Sequence, residues 1–143
     1  MIPWDQIHGA TTHFPIALLL FSTGCDLCAV AFWKIAFTRE LRLASFYSLA
    51  IAAVSSFGAI LSGIMITKGD VWGQGTLGWH HRFVWPAFAL IVGLAIWRLL
   101  VREAKSRVGL SCYLAFMLIA SGTIAAAGYW GGELILGGGM TGG

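Results

Sequence analysis

Four long apolar stretches constrain this chain more than any other feature. They cover about residues 14–33, 44–67, 81–100 and 110–130 of the 143. A helix needs roughly 20 apolar residues to cross the hydrocarbon core of a bilayer, and each stretch is about that long. A segment in lipid must satisfy its own backbone hydrogen bonds, so continuous apolar runs of this length indicate helices. We predict one integral membrane domain over residues 1–143, an all-α bundle of four transmembrane helices.

The charged residues exclude an ordinary soluble enzyme. Only 10% of the residues are charged and 58% are hydrophobic, whereas a soluble domain has about 25% charged residues. The net charge of +3 reflects loop residues facing anionic lipid, so we expect contact with the bilayer and no nucleic acid. No phosphate-binding loop or nucleophile elbow occurs in a suitable setting. We therefore expect an electron carrier or an accessory subunit without catalytic activity of its own.

The basic residues predict the orientation of the bundle. Seven of the nine lysines and arginines lie in or beside the first and third loops, and two lie around the second loop. Basic loops stay on the cytoplasmic side of a membrane. We therefore predict a multi-pass protein of a bacterial inner membrane with both termini periplasmic. Asp5 precedes the first apolar stretch and Lys34 follows it, which is unlike a cleavable signal peptide.

All four histidines fall on the predicted periplasmic side, as two pairs at the starts of the first and third spans. Histidine is the commonest metal ligand, and haem iron accepts axial histidines. In a helix, residues five apart diverge by about 140° and adjacent residues by about 100°, so one site takes one histidine from each pair. We predict haem b with His13 and His81 as axial ligands, while two haems would also use His8 and His80.

Other side chains extend or compete with this prediction. Arg82 could pair with haem propionates, or it could simply reach the membrane interface. A copper or zinc site built from His13, His81 and Glu133 is an alternative to haem. Interfacial anchoring alone also explains histidines at a membrane surface. Asp26 lies inside a span, where a carboxyl group either handles protons or forms structural hydrogen bonds.

Two features concern packing. Glycine and other small residues four apart predict close helix contacts at Gly58–Ser62, Ala59–Gly63 and Gly122–Ala126. A faint repeat links His13-Phe14-Pro15 with His81-Arg82-Phe83, which suggests two similar hairpins with the starts of helices one and three facing each other. Pro15 predicts that the first regular helix begins near residue 14 or is kinked there.

Several of these residues together resemble an uncharacterised family of small bacterial four-helix membrane proteins, a domain of unknown function. The resemblance covers most of the chain, and its most specific part is an N-terminal His-x4-His-Phe-Pro-Ile motif. Relatives of this type are sometimes joined to cytochrome-c-like modules, which implies an electron-transfer setting. Ile135, Leu136 and Gly137 depart from the family's tail pattern. The residues that carry the resemblance are His8, His13-Phe14-Pro15-Ile16, Asp26-Leu27, His81 and Gly132-Glu133-Leu134.

These observations lead to one expected function and two alternatives. We expect a haem-b-binding electron-transfer subunit of a larger respiratory or redox complex, with other membrane subunits, a c-type cytochrome or quinol as partners. A non-redox accessory or assembly subunit is the first alternative. A copper- or zinc-binding membrane protein that uses the same histidines with Asp26 or Glu133 is the second.

Overall fold

The computed structural model describes residues 4–34, 36–101 and 106–136, and within these ranges all regular structure is helical. The four helices are α1 (Trp4–Ala31), α2 (Thr38–Ile66), α3 (Gly75–Val101) and α4 (Arg107–Leu136). Each is long and apolar enough to cross a membrane. The structure confirms the predicted all-α class and the bundle of four membrane-spanning helices.

Consecutive helices run antiparallel and form two hairpins. α1 packs mainly against α2 and α3 against α4, and the hairpins meet through α2–α3 and α1–α4 contacts. α1 and α3 therefore stand diagonally across the bundle, and both start at the same end. We call this the histidine end; it also holds residues 67–74 and the end of α4. The opposite end, with residues 32–34, residues 36–37 and the start of α4, is the arginine end.

The middle of the bundle is closed by one large apolar side chain from each helix. Leu19, Leu49, Ile91 and Met117 are each at most 1% exposed. Many apolar side chains on the outside remain exposed, among them Phe21, Val54 and Leu100. A lipid-facing surface explains this exposure, because no aqueous solvent penalises it there.

α1 starts earlier than predicted, since it is helical from Trp4 and runs through Pro15. The expectation of a helix start or kink near residue 14 missed the hydroxyl groups in the preceding turn. Thr11 Oγ1 donates to the Ile7 carbonyl at 2.9 Å, and Thr12 Oγ1 donates to the Gly9 carbonyl at 3.1 Å. Threonine hydroxyls of this kind supplement the backbone ladder next to a proline in a membrane helix. Both N-terminal histidines are consequently on a helix.

One buried ion pair ties all four helices together at the arginine end. Arg98 Nη1 on α3 donates to Asp26 Oδ2 on α1 at 2.6 Å. The Tyr113 hydroxyl on α4 donates to the same carboxylate oxygen at 2.9 Å. Arg98 Nη2 donates to the Arg42 carbonyl on α2 at 3.0 Å, and Nη1 also lies 3.3 Å from Ser45 Oγ. Asp26 thus has a structural role at the end of the bundle away from the histidines.

Candidate cofactor site at the histidine end

A cavity of about 260 Å³ lies inside the histidine end, and all four histidines line it. Its walls come from all four helices and from the loop between α2 and α3. Most of the lining is aliphatic or aromatic, and the polar exceptions cluster around the imidazoles. Among its apolar lining residues are Ile16, Ile60, Val84, Trp85, Phe88, Ile91 and Ile124.

The half-buried His8 on α1 is held by a hydroxyl of α2. Its Nδ1 lies 3.0 Å from Ser62 Oγ. Ser62 Oγ also lies 3.0 Å from the Ala59 carbonyl oxygen, to which it can donate its single proton. The Thr11 hydroxyl, 3.1 Å from Ser62 Oγ, also reaches backbone carbonyls of its own helix. The His8–Ser62 contact fits either tautomer of the ring: His8 Nδ1 donates to Ser62 when Ser62 donates to Ala59, and it accepts when Ser62 donates to the ring.

The half-buried His80 on α3 is held in the same way by α4. Its Nδ1 lies 2.9 Å from the carbonyl oxygen of Ala127. A carbonyl can only accept, so His80 Nδ1 carries the proton and donates it. In both hairpins, a histidine on the first helix is therefore fixed by the second helix through the same ring nitrogen.

This arrangement leaves a free lone pair on Nε2 of His80, and His8 has the same free lone pair in the tautomer that carries its proton on Nδ1. In a neutral imidazole, one nitrogen donates and the other accepts. Histidines that bind metals almost always donate their other N–H to a carbonyl, carboxylate or water, which fixes the ring and its tautomer. The chain thus brings two oriented imidazole ligands to one cavity from diagonally opposite helices.

Two glycines give the same imidazoles room to lie flat against the neighbouring helix. A Cβ on Gly63 of α2 would come within 3.1 Å of His8 Cε1, and a Cβ on Gly131 of α4 within 3.2 Å of His80 Cε1. In contrast, a Cβ on Gly58 or Gly122 would meet nothing within 4 Å. The close contacts expected at Gly58 and Gly122 are therefore absent, and Gly63 contacts a histidine.

His81 and His13 occupy different environments in the same cavity. The His81 side chain is buried, with 8% exposure, and its Nδ1 has no hydrogen-bond partner among the described residues. Its ring centroid lies 5.8 Å from that of His80. His13 lines the cavity but is largely exposed. The contacts therefore pair His8 with His80 as equivalent positions, whereas the sequence repeat pairs His13 with His81.

The other residues singled out from the sequence lie away from the imidazoles. Arg82 is exposed and stacks over the Trp79 ring at 4.6 Å, outside the cavity lining. Glu133 is exposed and does not line the cavity, although its neighbours Gly132 and Leu134 do. Asp26 lines a different cavity at the arginine end. Neither carboxylate is therefore placed beside the histidines.

Two acids that line this cavity, Asp5 and Asp70, were not predicted as site residues from the sequence. Asp70 lies in the loop between α2 and α3, where its Oδ1 accepts the backbone N–H groups of Gly73 at 2.8 Å and Trp72 at 3.1 Å. These two hydrogen bonds lower the pKa of the Asp70 carboxyl group, and nearby His81 lowers it slightly further. Asp70 therefore supplies a negative charge at the mouth of the cavity.

The donor set distinguishes between kinds of metal centre. Within residues 4–34, 36–101 and 106–136, no group of three or more His, Cys, Asp and Glu side chains is arranged to hold a metal ion. A catalytic zinc site takes three protein ligands. Haem iron needs only one or two axial protein ligands, because the macrocycle supplies the others. The described residues therefore provide no three-ligand centre for a metal ion.

Comparison with known proteins identifies a family for this chain. Neither the curated proteins nor the solved structures contain a match to this chain. Residues 5–141 match the profile of a family described as "Predicted membrane protein (DUF2231)". The match includes all four helices and every histidine, and it confirms the resemblance to an uncharacterised family of membrane proteins. The chain is thus a member of DUF2231, a membrane-protein family of unknown function.

Proposed function

We propose that this protein is a haem-b-binding subunit of a membrane electron-transfer system, with the haem held between His8 and His80. The observation that carries the proposal is that each of these rings has Nδ1 fixed inside its own hairpin. In the tautomer with the proton on Nδ1, each ring keeps its Nε2 lone pair for a group bound in the cavity that both residues line. The earlier prediction of His13 and His81 as axial ligands stays a prediction, and the geometry favours the other member of each pair.

The surroundings of the two rings support a macrocycle. The glycines beneath them keep side-chain atoms away from the imidazoles, and the apolar lining keeps water from the iron. Burial of this kind is one of the ways in which a protein sets the potential of a haem. A bound haem supplies a one-electron carrier, while the protein residues fix its ligands and exclude solvent.

The size of the cavity adds a condition to this proposal. Its volume of about 260 Å³ is slightly below the roughly 300–1,000 Å³ typical of ligand pockets. Haem binding therefore requires the two hairpins to move apart at the histidine end. Such a movement breaks few contacts, because α1 and α3 are diagonal and most packing lies within each hairpin.

The proposed setting is the periplasmic face of a bacterial inner membrane. The unequal distribution of basic residues supports an orientation with the arginine end in the cytoplasm and with the histidine end and both termini outside. Electrons would then be exchanged with a c-type cytochrome or quinol at the outer surface, inside a larger complex. Arg82, stacked on Trp79 at the rim, stays a predicted partner for the haem propionates.

A visible absorption spectrum of the purified protein tests the proposal. We expect a Soret band and sharp reduced-state bands of six-coordinate haem, either as isolated or after titration with haemin. His8→Ala and His80→Ala should each abolish the six-coordinate spectrum. His13→Ala, at the same end but exposed, should retain it. Helix content measured by circular dichroism checks that each variant is folded.

Other results would support the alternative functions. If the folded protein neither contains nor takes up haem, the proposal fails. Copper or zinc without iron in elemental analysis would then favour a metal-binding protein. If neither haem nor metal binds, and the histidine variants still assemble with partner subunits, an accessory role is favoured.

A further inference from the structure

A second and larger cavity opens at the arginine end. Its volume is about 740 Å³, within the roughly 300–1,000 Å³ of typical ligand pockets. The end of α1, the start of α2, the end of α3 and the start of α4 all contribute to its lining. Both arginine and aromatic side chains line it, including Arg39, Arg42, Phe46, Tyr47, Trp97 and Tyr113. It is therefore distinct from the histidine cavity in position and in chemistry.

The cavity carries excess positive charge. Three arginines and one aspartate line it, which leaves two positive charges. Arg98 is fully engaged with Asp26, Tyr113 and α2. The Arg98–Asp26 pair is the one ion pair among the described residues, so Arg39 and Arg42 have no carboxylate partner there. An anion bound in this cavity would therefore meet two guanidinium groups that no described carboxylate neutralises.

The apolar part of the lining indicates what kind of anion fits. Leu43, Tyr47 and Leu99 line the cavity and are also exposed on the outer surface of the bundle. An anion held by Arg39 and Arg42 would therefore have a continuous apolar surface beside it. A small inorganic ion would leave most of the cavity unfilled, and a neutral amphiphile would leave both arginines unpaired. An amphiphilic anion satisfies both requirements.

We propose that the arginine end binds one anionic phospholipid, with its phosphate on Arg39 and Arg42 and its acyl chains along Leu43, Tyr47 and Leu99. Guanidinium groups bind phosphate oxygens in a bidentate manner. Basic pockets between helices at the cytoplasmic face are a recurrent form of lipid recognition. This site does not depend on haem binding at the other end, so either proposal can fail without the other.

Native mass spectrometry of the full chain, released from detergent micelles, tests this assignment. The micelles contain phosphatidylglycerol and phosphatidylcholine with identical acyl chains. The wild-type protein should retain one phosphatidylglycerol in preference to phosphatidylcholine. Arg39→Gln and Arg42→Gln should each weaken retention about fivefold, as expected for the loss of one basic residue near a lipid headgroup. The double variant should lose the preference.

Two controls make the result decisive. Arg107→Gln removes the same charge from the same end, but Arg107 does not line the cavity, so retention should not change. Inorganic phosphate should not displace the lipid, because it has no acyl chains. The proposal is overturned if both lipids are retained equally, if Arg107→Gln weakens retention as much as Arg42→Gln, or if phosphate displaces the lipid. If Arg42→Gln is poorly folded, the exposed Arg39 provides the same test alone.

Discussion

Glycines on the neighbouring helices leave the space that the imidazole rings of His8 and His80 occupy, and this space limits the position of each ring. Each ring lies against a glycine of the neighbouring helix, and each is anchored by Nδ1 within one turn of that glycine. The hydrogen bonds fix the rotation of the rings, and the glycines fix their distance from the helix. A side chain at either glycine position would move the Nε2 atom even if the hydrogen bond survived.

Alanine at Gly63 or Gly131 should therefore weaken ligand binding without unfolding the helix. The new Cβ would lie 3.1 Å or 3.2 Å from an imidazole Cε1, so the ring must shift by a few tenths of an ångström. A misplaced ligand shell typically costs 10- to 100-fold in metal affinity. We expect Gly63→Ala and Gly131→Ala to lower haem affinity about tenfold, measured by haemin titration.

Gly58→Ala and Gly122→Ala are matched controls on the same two helices. A Cβ at either position meets nothing within 4 Å. Alanine also favours helix more than glycine does, by about 1 kcal/mol, so these variants should bind haem normally and melt no earlier. Equal losses at all four positions would show that helix flexibility, rather than ring position, controls binding.

Sequence reasoning located the histidines but not the residues that orient them. All four were expected at one end because each pair begins a span. Their partners lie 54 and 47 residues away in the chain, on helices whose rotation hydropathy does not define. Ser62 and Gly63 were interpreted as helix-packing residues, although Ser62 is also hydrogen-bonded to His8. A backbone carbonyl such as that of Ala127 carries no sequence signal at all.

At the scale of the helices, the polar cluster around Asp26 is the clearest interaction that holds the four helices together. It joins α1, α2, α3 and α4 through one carboxylate and one guanidinium group, whose side chains are 7% and 13% exposed. The sequence identified Asp26 as an acid inside a span. Arg98 was interpreted as one of the charges of the third loop, because its position in the chain does not show that its side chain faces the interior of the bundle.

Removing one member of this pair should destabilise the bundle strongly. Asp26→Leu leaves the Arg98 charge buried without its partner, which typically costs about 3–5 kcal/mol. Unfolding by denaturant titration in mixed micelles measures this loss. The double variant Asp26→Leu, Arg98→Met should recover much of the stability, since a buried pair replaced by apolar residues is often close to neutral. A single variant as stable as the wild type would contradict the structural role of the pair.

At the scale of the whole molecule, hydropathy was sufficient for the number and type of elements. The four predicted spans each overlap one observed helix, because lipid imposes a length that sequence can measure. The ring order of the helices and the two cavities could not be predicted, since they depend on which face of each helix is buried. The family that matches residues 5–141 has no described function, so membership in it identifies the kind of protein but not its activity.

The orientation of the bundle can be tested by cysteine labelling. In a background where Cys25, Cys28 and Cys112 are replaced by alanine, Gln74→Cys lies at the histidine end and Ala36→Cys at the arginine end; both positions are exposed. We expect a membrane-impermeant maleimide to label Gln74→Cys in intact cells, and Ala36→Cys only after permeabilisation. The reverse pattern would place the histidines in the cytoplasm.

An apolar layer formed by Leu19, Leu49, Ile91 and Met117 separates the histidine end of the bundle from the arginine end. Its four side chains have no hydrogen-bonding groups that could relay a proton, so we expect a charge change among the imidazoles to be compensated from the compartment that they face. The reduction potential of a redox group at that end would therefore depend on the pH of that compartment only. Such a group could operate without discharging the gradient that energises the membrane.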